Sequence, residues 1–314
     1  MTAGLLVKHA TPLCQLQDLG RIGYRAQGVT RSGAMDRFNL KVANALVANP
    51  LNTACLELTL TGATFELTAT SARIALAGDF DFKINGIAKE VFCSHRIVEG
   101  DTIEIGAPQT GLRAYLAIAG GFDSSPILGS CATHTRSKLG GFAHGINFGE
   151  TLPIKAPIAV SGHECSLRQG LRRGPKEIVR VVAGPQQEHF SSSGIESFYT
   201  SAYKVTDECD RMGIRLDGAR IEHVGDGNII SDPVMPGSVQ VPAGGQPIIL
   251  MADGPTTGGY PKIATVASVD LAVLAQLAPG AGLQFEQISV EESQTLVRDE
   301  ARFFASLPQR LDRF

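Results

Sequence analysis

Polar residues and glycines crowd the segment that follows an apolar run at residues 248–252. From Asp253 to Lys262 the sequence DGPTTGGYPK places a carboxylate, two threonine hydroxyls and an ammonium group within ten positions. Together with backbone N–H groups, this set can bind a polar planar group or a phosphate. Functional residues concentrate on loops that rigid strands hold in place. A plain turn would need neither the threonines nor the lysine, so we interpret this segment as a candidate site.

A second segment, QDLGRIGYRAQG at residues 17–28, combines charge with glycine. It carries Asp18, Arg21 and Arg25, and Asp36 follows shortly after it. Arginine offers a fork that fits carboxylate or phosphate, and glycine lets the backbone approach a ligand closely. An aspartate–arginine ion pair that pins a turn would explain the same residues, so both interpretations stay open.

The third segment is DRMGIRLDG at residues 210–218. Arg211 and Arg215 lie four residues apart, and in an extended chain they would point to one face. The alternative is an ordinary solvated strand face.

Short strands are the elements that must position these segments. Gly and Pro together number 51 of 314 residues, which favours turns and strands over long helices. Apolar, glycine-bounded runs predict strands at residues 73–78, 101–106, 111–120, 177–184, 238–241, 247–252 and 283–290. Apolar residues at helical spacing predict helices at residues 36–47, 187–200 and 269–277. A C-terminal helix should begin with a capping box, because Ser289 precedes Glu292 by three residues.

Helical segments are too few for alternating βαβ units, so a parallel α/β sheet is poorly supported. Both halves of the chain instead contain several predicted strands that are bounded by glycine residues. The basic stretch at residues 166–177 lacks apolar periodicity and predicts a domain boundary. We therefore expect a mainly β chain with two β-barrel or sandwich domains, at residues 1–170 and 176–314.

Composition and motifs exclude several function classes. The net charge of −3 argues against a nucleic-acid protein. No P-loop, complete dinucleotide-binding glycine motif, nucleophile elbow or H-E-x-x-H motif is present. No signal peptide or apolar run of membrane length is found, and the six widely spaced cysteines fit reduced thiols. We expect a cytoplasmic protein without nucleic-acid or membrane partners and without a zinc site.

Eight segments in order along nearly the whole chain carry a specific resemblance. They are QDLGRIGYRAQGV (17–29), GAMD (33–36), LVANP (46–50), LELTLTG (56–62), GLRAYLAIAGGFD (111–123), ILGSCAT (127–133), DRMGIRLDG (210–218) and SDPVMPGSVQVPAGGQPIILMADGPTTGGYPKIA (231–264). With them the chain resembles the carboxyltransferase-type family that includes the C subunit of bacterial ATP-dependent 5-oxoprolinases, allophanate hydrolase subunit 2-like proteins and an antagonist of a sporulation-kinase inhibitor.

The resemblance implies two cyclophilin-like β-barrel domains with a few helices. It also implies two partner proteins, a homologous B subunit and a lactam-hydrolase A subunit. The complex would open 5-oxo-L-proline to L-glutamate with ATP hydrolysis, so the expected cofactor is ATP, with Mg²⁺ where needed, shared with a partner protein.

The same resemblance suggests roles for particular residues. The candidate catalytic residues are Asp253, Lys262, Arg211 and Asp36. The candidate substrate- or nucleotide-binding residues are Asp18, Arg21, Met212, Gln240, Thr256, Thr257, Gly258, Gly259, Tyr260 and Pro261. The cations would neutralise charge in the transition state, and the carboxylates would orient them, hold Mg²⁺ or accept the lactam N–H. Cys131 and Cys209 lie beside matched segments, but no histidine stands at a spacing diagnostic of a nucleophilic cysteine.

Two alternatives come from the same family. In urea carboxylase a related module moves a carboxyl group from carboxybiotin to urea, and here biotin would have to come from another chain, because no Met-Lys-Met motif is present. The second alternative is a regulatory module that binds a kinase-inhibitor partner.

Overall fold

β-Strands provide most of the regular structure, which confirms the expected mainly β fold class. The computed structural model describes residues 3–155 and 163–314. The strands are β1 (Gly4–His9), β2 (Cys14–Gln17), β3 (Cys55–Thr59), β4 (Ala63–Leu67), β5 (Ser71–Ala77), β6 (Phe80–Ile84), β7 (Ile87–Ala88), β8 (Ser94–Val98), β9 (Thr102–Pro108), β10 (Arg113–Ile118), β11 (Thr151–Pro153), β12 (Cys165–Leu167), β13 (Ile178–Ala183), β14 (Ala202–Val205), β15 (Gly213–Gly218), β16 (Asp232–Pro233), β17 (Ser238–Gln240), β18 (Ile248–Leu250), β19 (Thr257–Gly258), β20 (Lys262–Val266), β21 (Gly282–Gln287) and β22 (Leu311–Arg313). The helices are α1 (Arg37–Leu46), α2 (Ser192–Thr200), α3 (Leu271–Leu274) and α4 (Val290–Arg310).

Two compact units divide the chain. The first comprises Met1–Arg21, Asp36–Gly174 and Phe303–Phe314, and the second comprises Ile22–Met35 and Pro175–Arg302. Each unit therefore includes a short segment that is distant from the rest of it in sequence. The two-domain division at residues 1–170 and 176–314 stays a prediction.

The first unit encloses one core between two sheets. One sheet has the order β11-β1-β4-β9-β6-β7, and the other has the order β2-β3-β10-β5-β8. β6 shows the alternation of a half-buried strand, with Phe80, Phe82 and Ile84 inside. β10 is buried along its whole length, because Leu116 and its same-face neighbours join the core while α1 packs against the strand.

Helix α1 begins where the sequence predicts. Asp36 is its N-cap, and the carboxylate oxygen Oδ1 accepts a hydrogen bond from the main-chain N–H of Asn39 at 2.9 Å. The main-chain N–H of Asp36 donates to the hydroxyl of buried Tyr115 at 2.8 Å, which ties the start of the helix to β10. The predicted helix at residues 36–47 is therefore confirmed.

The second unit contains a closed barrel. Its strand order is β13-β20-β17-β18-β15-β14-β21, closed by parallel pairing of β13 with β21, while the other neighbours pair antiparallel. Its core is built from valine, isoleucine and aromatic residues such as Val179, Phe198 and Phe285. This barrel carries the 253–262 segment between two of its strands.

Three predicted elements differ from the structure in extent. The helix expected at residues 269–277 is limited to α3, which covers only Leu271–Leu274. The helix expected at residues 187–200 is a 3-10 turn, Gln187–His189, followed by α2. Phe190 interrupts it because its extended backbone forms a β-bridge with His223. The strand expected at residues 283–290 ends at Gln287, since Ser289 and Glu292 form the predicted capping box of α4: the Ser289 N–H donates to the carboxylate at 2.7 Å, and its Oγ accepts from the Glu292 N–H at 3.1 Å.

Within the described residues, no helix combines the length and the apolar character needed to cross a membrane.

Candidate functional site

The loop from Asp253 to Lys262 begins and ends at different levels of the barrel. Lys262 and Ile248 both pair with Gln240, so they are level with each other. Asp253 lies beyond Leu250, the last residue of β18. At a rise of ~3.3 Å per residue, Leu250 is already about 7 Å from the level shared by Ile248 and Lys262. The two ends of the loop therefore serve two separate hydrogen-bond networks.

At the first end, Asp253 and Arg211 form a buried bidentate ion pair. The guanidinium Nε donates to Oδ2 at 2.8 Å and Nη2 donates to Oδ1 at 3.1 Å, with side chains 14% and 8% exposed for Arg211 and Asp253. Ser32 Oγ donates to Oδ1 of Asp253 at 2.8 Å. Arg211 Nη2 also donates to the carbonyl oxygen of Gly33 at 2.7 Å. Both carboxylate oxygens are thus in use, and the pair joins three chain segments of the second unit.

At the other end, the ammonium group of Lys262 is buried against Asp232. Lys262 Nζ donates to Asp232 Oδ2 at 2.7 Å, and the side chains are 4% and 43% exposed, respectively. Gln186 Nε2 donates to the same carboxylate oxygen at 3.1 Å. The hydrogen bond from Lys262 lowers the pKa of Asp232, and Gln186 adds to this effect. A buried cation therefore lies beneath a carboxylate that solvent can reach.

Between these networks the loop pairs with the segment before β17. The β19 residues Thr257 and Gly258 pair with Pro233 and Asp232 of β16. Flanking bonds extend this ribbon: the N–H of Val234 donates to the Thr256 carbonyl at 3.0 Å, Ile229 to Gly259 at 2.9 Å and Val241 to Pro261 at 3.1 Å. Three carbonyl oxygens of the candidate segment, those of Thr256, Gly259 and Pro261, are therefore used in these bonds, while Thr257 is exposed.

The Arg25 side chain binds both strands of this ribbon at one end. Its Nη2 donates to the carbonyl oxygens of Val234 and Pro255, one on each side, and the second bond measures 2.7 Å. Burial lowers the pKa of Arg25, and the nearby charge of Arg31 lowers it further. The Arg25 side chain thus links residues 22–35 to the candidate loop.

The remaining candidates of the second unit lie on either side of the loop. Gln240 is buried, and its Nε2 donates to the carbonyl oxygen of Tyr260 at 3.2 Å. Tyr260 is 40% exposed. Met212 is half-buried, with its N–H donating to Asp210 Oδ1 at 2.7 Å and its carbonyl accepting from Met251 at 3.0 Å. Gln240 thus belongs to the Lys262 end of the loop and Met212 to the Asp253 end.

Three candidates, Asp18, Arg21 and Asp36, lie in the first unit, where each holds local structure. Asp18 accepts hydrogen bonds from Gly20 N–H at 2.7 Å, Ser130 Oγ at 2.6 Å and Cys131 N–H at 2.7 Å. Asp36 is the N-cap of α1. These contacts with main-chain N–H and hydroxyl groups hold local structure, and a part of either aspartate in substrate binding or catalysis stays a prediction.

Arg21 is 1% exposed and its Nη2 donates to the carbonyl oxygen of Ala132 at 2.6 Å. A Cβ at Gly140 would come within 2.1 Å of the Ala132 carbonyl oxygen and 2.3 Å of the same Nη2, and the φ of this residue is +76°, so only glycine fits beside this contact.

Of the two cysteines beside the matched segments, Cys131 has the raised pKa of an unactivated thiol. The Cys131 thiol donates to the Ser124 carbonyl at 3.3 Å, and burial and the charge of Asp18 raise its pKa. Cys209 is half-buried and packs against the core of the second unit.

Sequence reasoning did not single out Asp232, Gln186 or Ser32. Asp232 lies inside a matched segment, and Ser32 precedes another, so their positions were indicated while their roles were not. Gln186 has no local signal, because it reaches Lys262 only through the pairing of β13 with β20.

No group of three or more histidine, cysteine, aspartate or glutamate side chains could hold a metal ion within residues 3–155 and 163–314. The carboxylates of Asp18, Asp36 and Asp253 are engaged with protein donors, as described above.

Comparison with known proteins supports the pattern seen in the sequence. The family model described as carboxyltransferase domain, subdomain A and B, matches residues 27–287. The chain belongs to this carboxyltransferase family. The match includes the barrel, the ribbon and both ion pairs of the candidate site.

Two similar proteins show the kinds of enzyme in which similar sequences occur. The chain is 35% identical over 301 residues to the C subunit of 5-oxoprolinase from Escherichia coli, covering 94% of this chain and 95% of that protein. It is 30% identical over 299 residues to the urea amidolyase of Saccharomyces cerevisiae, covering 88% of this chain and 16% of that protein.

Among solved structures, the urea carboxylase of Kluyveromyces lactis superposes with a TM-score of 0.90 at 26% identity. The match covers 96% of this chain and 29% of that chain. The urea amidolyase of K. lactis gives the same TM-score and identity, and this chain spans one fifth of its length. The family fold is therefore found both in a protein of about this length and within much longer chains.

Proposed function

We propose that this chain is the C subunit of a 5-oxoprolinase. It acts with a homologous B subunit, and with a lactam-hydrolase A subunit, to open 5-oxo-L-proline to L-glutamate with hydrolysis of ATP, in the cytoplasm. The observation that carries the proposal is coverage in both directions, since the E. coli protein and this chain match over 95% and 94% of their lengths. The urea amidolyases contain much additional chain that this protein does not match.

The chemistry of a lactam sets what the site must do. Amide resonance deactivates the ring carbonyl, so ring opening is coupled to ATP hydrolysis. The protein must bind the substrate carboxylate, orient the lactam and counter the negative charge that develops during reaction. These tasks need cations and oriented donors in a place that excludes water.

Lys262 is the cation that we assign to this task. Its ammonium group is buried while its partner Asp232 is partly exposed, so an incoming carboxylate can exchange with Asp232 for the ammonium group. Burial strengthens such an interaction because the local dielectric is low. Arg211 has a different role, since its contacts with Asp253, Ser32 and Gly33 position the loop.

ATP and Mg²⁺ do not find a complete site in the described residues of this chain. The cations Lys262 and Arg211 are each paired with a carboxylate, and no carboxylate cluster suited to a metal is described. We therefore assign nucleotide binding mainly to the partner proteins.

Carboxyl transfer is the second candidate, favoured by the TM-score of 0.90 to the K. lactis urea carboxylase. Under this alternative, a carboxybiotin carried by another chain would be the donor, and urea or a similar amide would be the acceptor. The buried Lys262 would then contact the transferred carboxylate.

The test is reconstitution of the complex of three proteins with and without this chain. We expect release of glutamate and phosphate from 5-oxo-L-proline and ATP only when this chain is present. Lys262→Met should lower kcat/KM by about 10²-fold or more if its ammonium contacts the reacting substrate. Lys204→Met is the matched control, because Lys204 is an exposed lysine on β14 of the same unit.

A stable complex that turns over at the same rate without this chain would overturn the proposal. Turnover of urea with carboxybiotin, and none of 5-oxo-L-proline, would replace it with carboxyl transfer. A well-folded Lys262→Met complex with unchanged kinetics would remove Lys262 from the site while leaving the proposed place of this chain in the complex intact.

A further inference from the structure

A polar cavity lies in the second unit, at the turn that follows β15. It has a volume of about 470 Å³ and opens to solvent. It is lined by Arg220, Glu222, His223, Gly225, Asp226 and Ala243. None of these residues takes part in the Asp253 or Lys262 networks described above.

Three of the lining side chains are held in place by hydrogen bonds to the protein. Glu222 Oε2 accepts from Ser191 Oγ and Ser193 Oγ, each at 2.7 Å. The hydrogen bond from Ser193 lowers the pKa of Glu222 most, and the bond from Ser191 and the charge of Arg220 lower it further. The carboxylate therefore stays ionised. Asp226 Oδ1 accepts from the N–H of Asn228 at 3.0 Å.

His223 is held in the same way. Its Nε2 lies 2.9 Å from the carbonyl oxygen of Val241. A carbonyl oxygen can only accept, so Nε2 carries a proton, and in the neutral form of the ring Nδ1 is then an acceptor. The ring also packs on Phe190, with centroids 4.9 Å apart.

The fourth polar group, Arg220, is positioned by packing. A Cβ at Gly245 would come within 2.4 Å of Arg220 Cγ, so the stem of the arginine lies directly on this glycine. The guanidinium donates no hydrogen bond to any residue that the structure describes.

Glu222, Asp226 and His223 each have a second polar atom that can accept a hydrogen bond from a ligand. Among the described residues, no protein group donates to Glu222 Oε1, Asp226 Oδ2 or His223 Nδ1, and Glu222 and Asp226 are exposed to solvent. The cavity thus combines three acceptors, two of them anionic, with one guanidinium fork. An α-ammonium group offers three N–H donors, and a carboxylate matches the fork of an arginine.

We propose that this cavity binds a free α-amino acid, with its carboxylate on Arg220 and its ammonium group on Glu222, Asp226 and His223. The volume leaves room for a side chain as well as the zwitterionic end. Because all four contacts are made by protein groups outside the Lys262 network, binding here does not depend on the proposed lactam chemistry.

The experiment is a titration of the full-length ¹⁵N-labelled chain followed by NMR, using the amide signals of Gly225 and Asp226. The probes are L-alanine, L-glutamate, propionate and ethylamine, because the last two each lack one charge of alanine. We expect both amino acids to shift these signals with a Kd on the order of 1 mM. Propionate and ethylamine should each bind about tenfold more weakly or worse, since each loses hydrogen bonds to charged groups.

Two variants assign the contacts. Arg220→Ala and Asp226→Asn should each weaken alanine binding by about tenfold or more. Arg215→Ala is the matched control, because Arg215 is an exposed arginine on β15 that pairs with Glu208, and it should leave binding unchanged.

The proposal is overturned if neither amino acid shifts these signals at tens of millimolar. It is also overturned if propionate or ethylamine binds as tightly as alanine, because a single charge would then account for recognition. Unchanged alanine binding in folded Arg220→Ala protein would likewise contradict it.

Discussion

The buried pair between Arg211 and Asp253 makes a strong prediction about stability. In the structure the Asp253 carboxylate accepts three side-chain hydrogen bonds, two of them from the guanidinium and one from Ser32. Asp253→Asn keeps the size of the side chain and removes its charge. We expect this variant to destabilise the second unit because Arg211 then remains buried without its counter-ion.

The magnitude follows from burial. The two side chains are 14% and 8% exposed, so water screens the pair little. Removing one partner of a buried pair costs ~3–5 kcal/mol. The asparagine retains one acceptor oxygen, which places Asp253→Asn near ~3 kcal/mol. Ser32→Ala removes a single bond to a charged group and should cost about 1.5–3 kcal/mol.

Urea unfolding followed by circular dichroism measures the effect. With an m-value of about 2 kcal/mol/M, the Asp253→Asn midpoint should fall by roughly 1.5 M. Hydrogen exchange of peptides covering residues 248–266 assigns the loss to the second unit. Asp217→Asn, an exposed carboxylate on β15 of the same unit, is the matched control and should change the midpoint little.

A double-mutant cycle then separates the pair from its surroundings. Arg211→Met with Asp253→Leu should cost less than the sum of the two single changes, with a coupling of about 0.5–3 kcal/mol. If the Asp253→Asn midpoint stays within about 0.3 M of the parent, or the two changes are additive, the pair does not hold the loop and the reasoning is refuted.

Three further predictions concern other contacts. Lys262→Met should raise the pKa of Asp232 toward its ordinary value, measured by carboxyl ¹³C NMR; because the native pKa is lowered, the pair stabilises the fold above about pH 4 and this contribution is lost as pH falls through the native pKa. An Asp232 titration that does not move in this variant would contradict the assignment. Arg25→Ala should speed hydrogen exchange at residues 255–261, since the guanidinium bridges both sides of the ribbon, and Lys204→Ala should not. Phe304→Ala should cost ~3–5 kcal/mol, because its ring is buried with its centroid 5.2 Å from that of Phe38, and an unchanged urea midpoint would show that the C-terminal segment is dispensable for the first unit.

Local sequence patterns predicted much of the regular structure. The helix that Asp36 caps and the capping box of Ser289 and Glu292 depend on residues a few positions apart, and both are present. The interruption at Phe190 was missed because its cause is a bridge to His223, which is distant in sequence.

The contacts of the candidate loop could not be predicted from neighbouring residues. Composition alone singled out the segment from Asp253 to Lys262, and it suggested that its charged ends act together. The barrel register places these ends in different networks, with partners that the sequence did not connect to them.

The amino-acid sequence by itself determined the mainly β composition, the caps of the helices and the identity of the segment rich in polar groups, because each depends on close neighbours in the chain. Only the tertiary structure decided that Asp253 pairs with Arg211, 42 residues away, and that Lys262 pairs with Asp232, 30 residues away. Such pairs exist only once antiparallel strands settle in one register, and that register is set by burial of the barrel core as a whole.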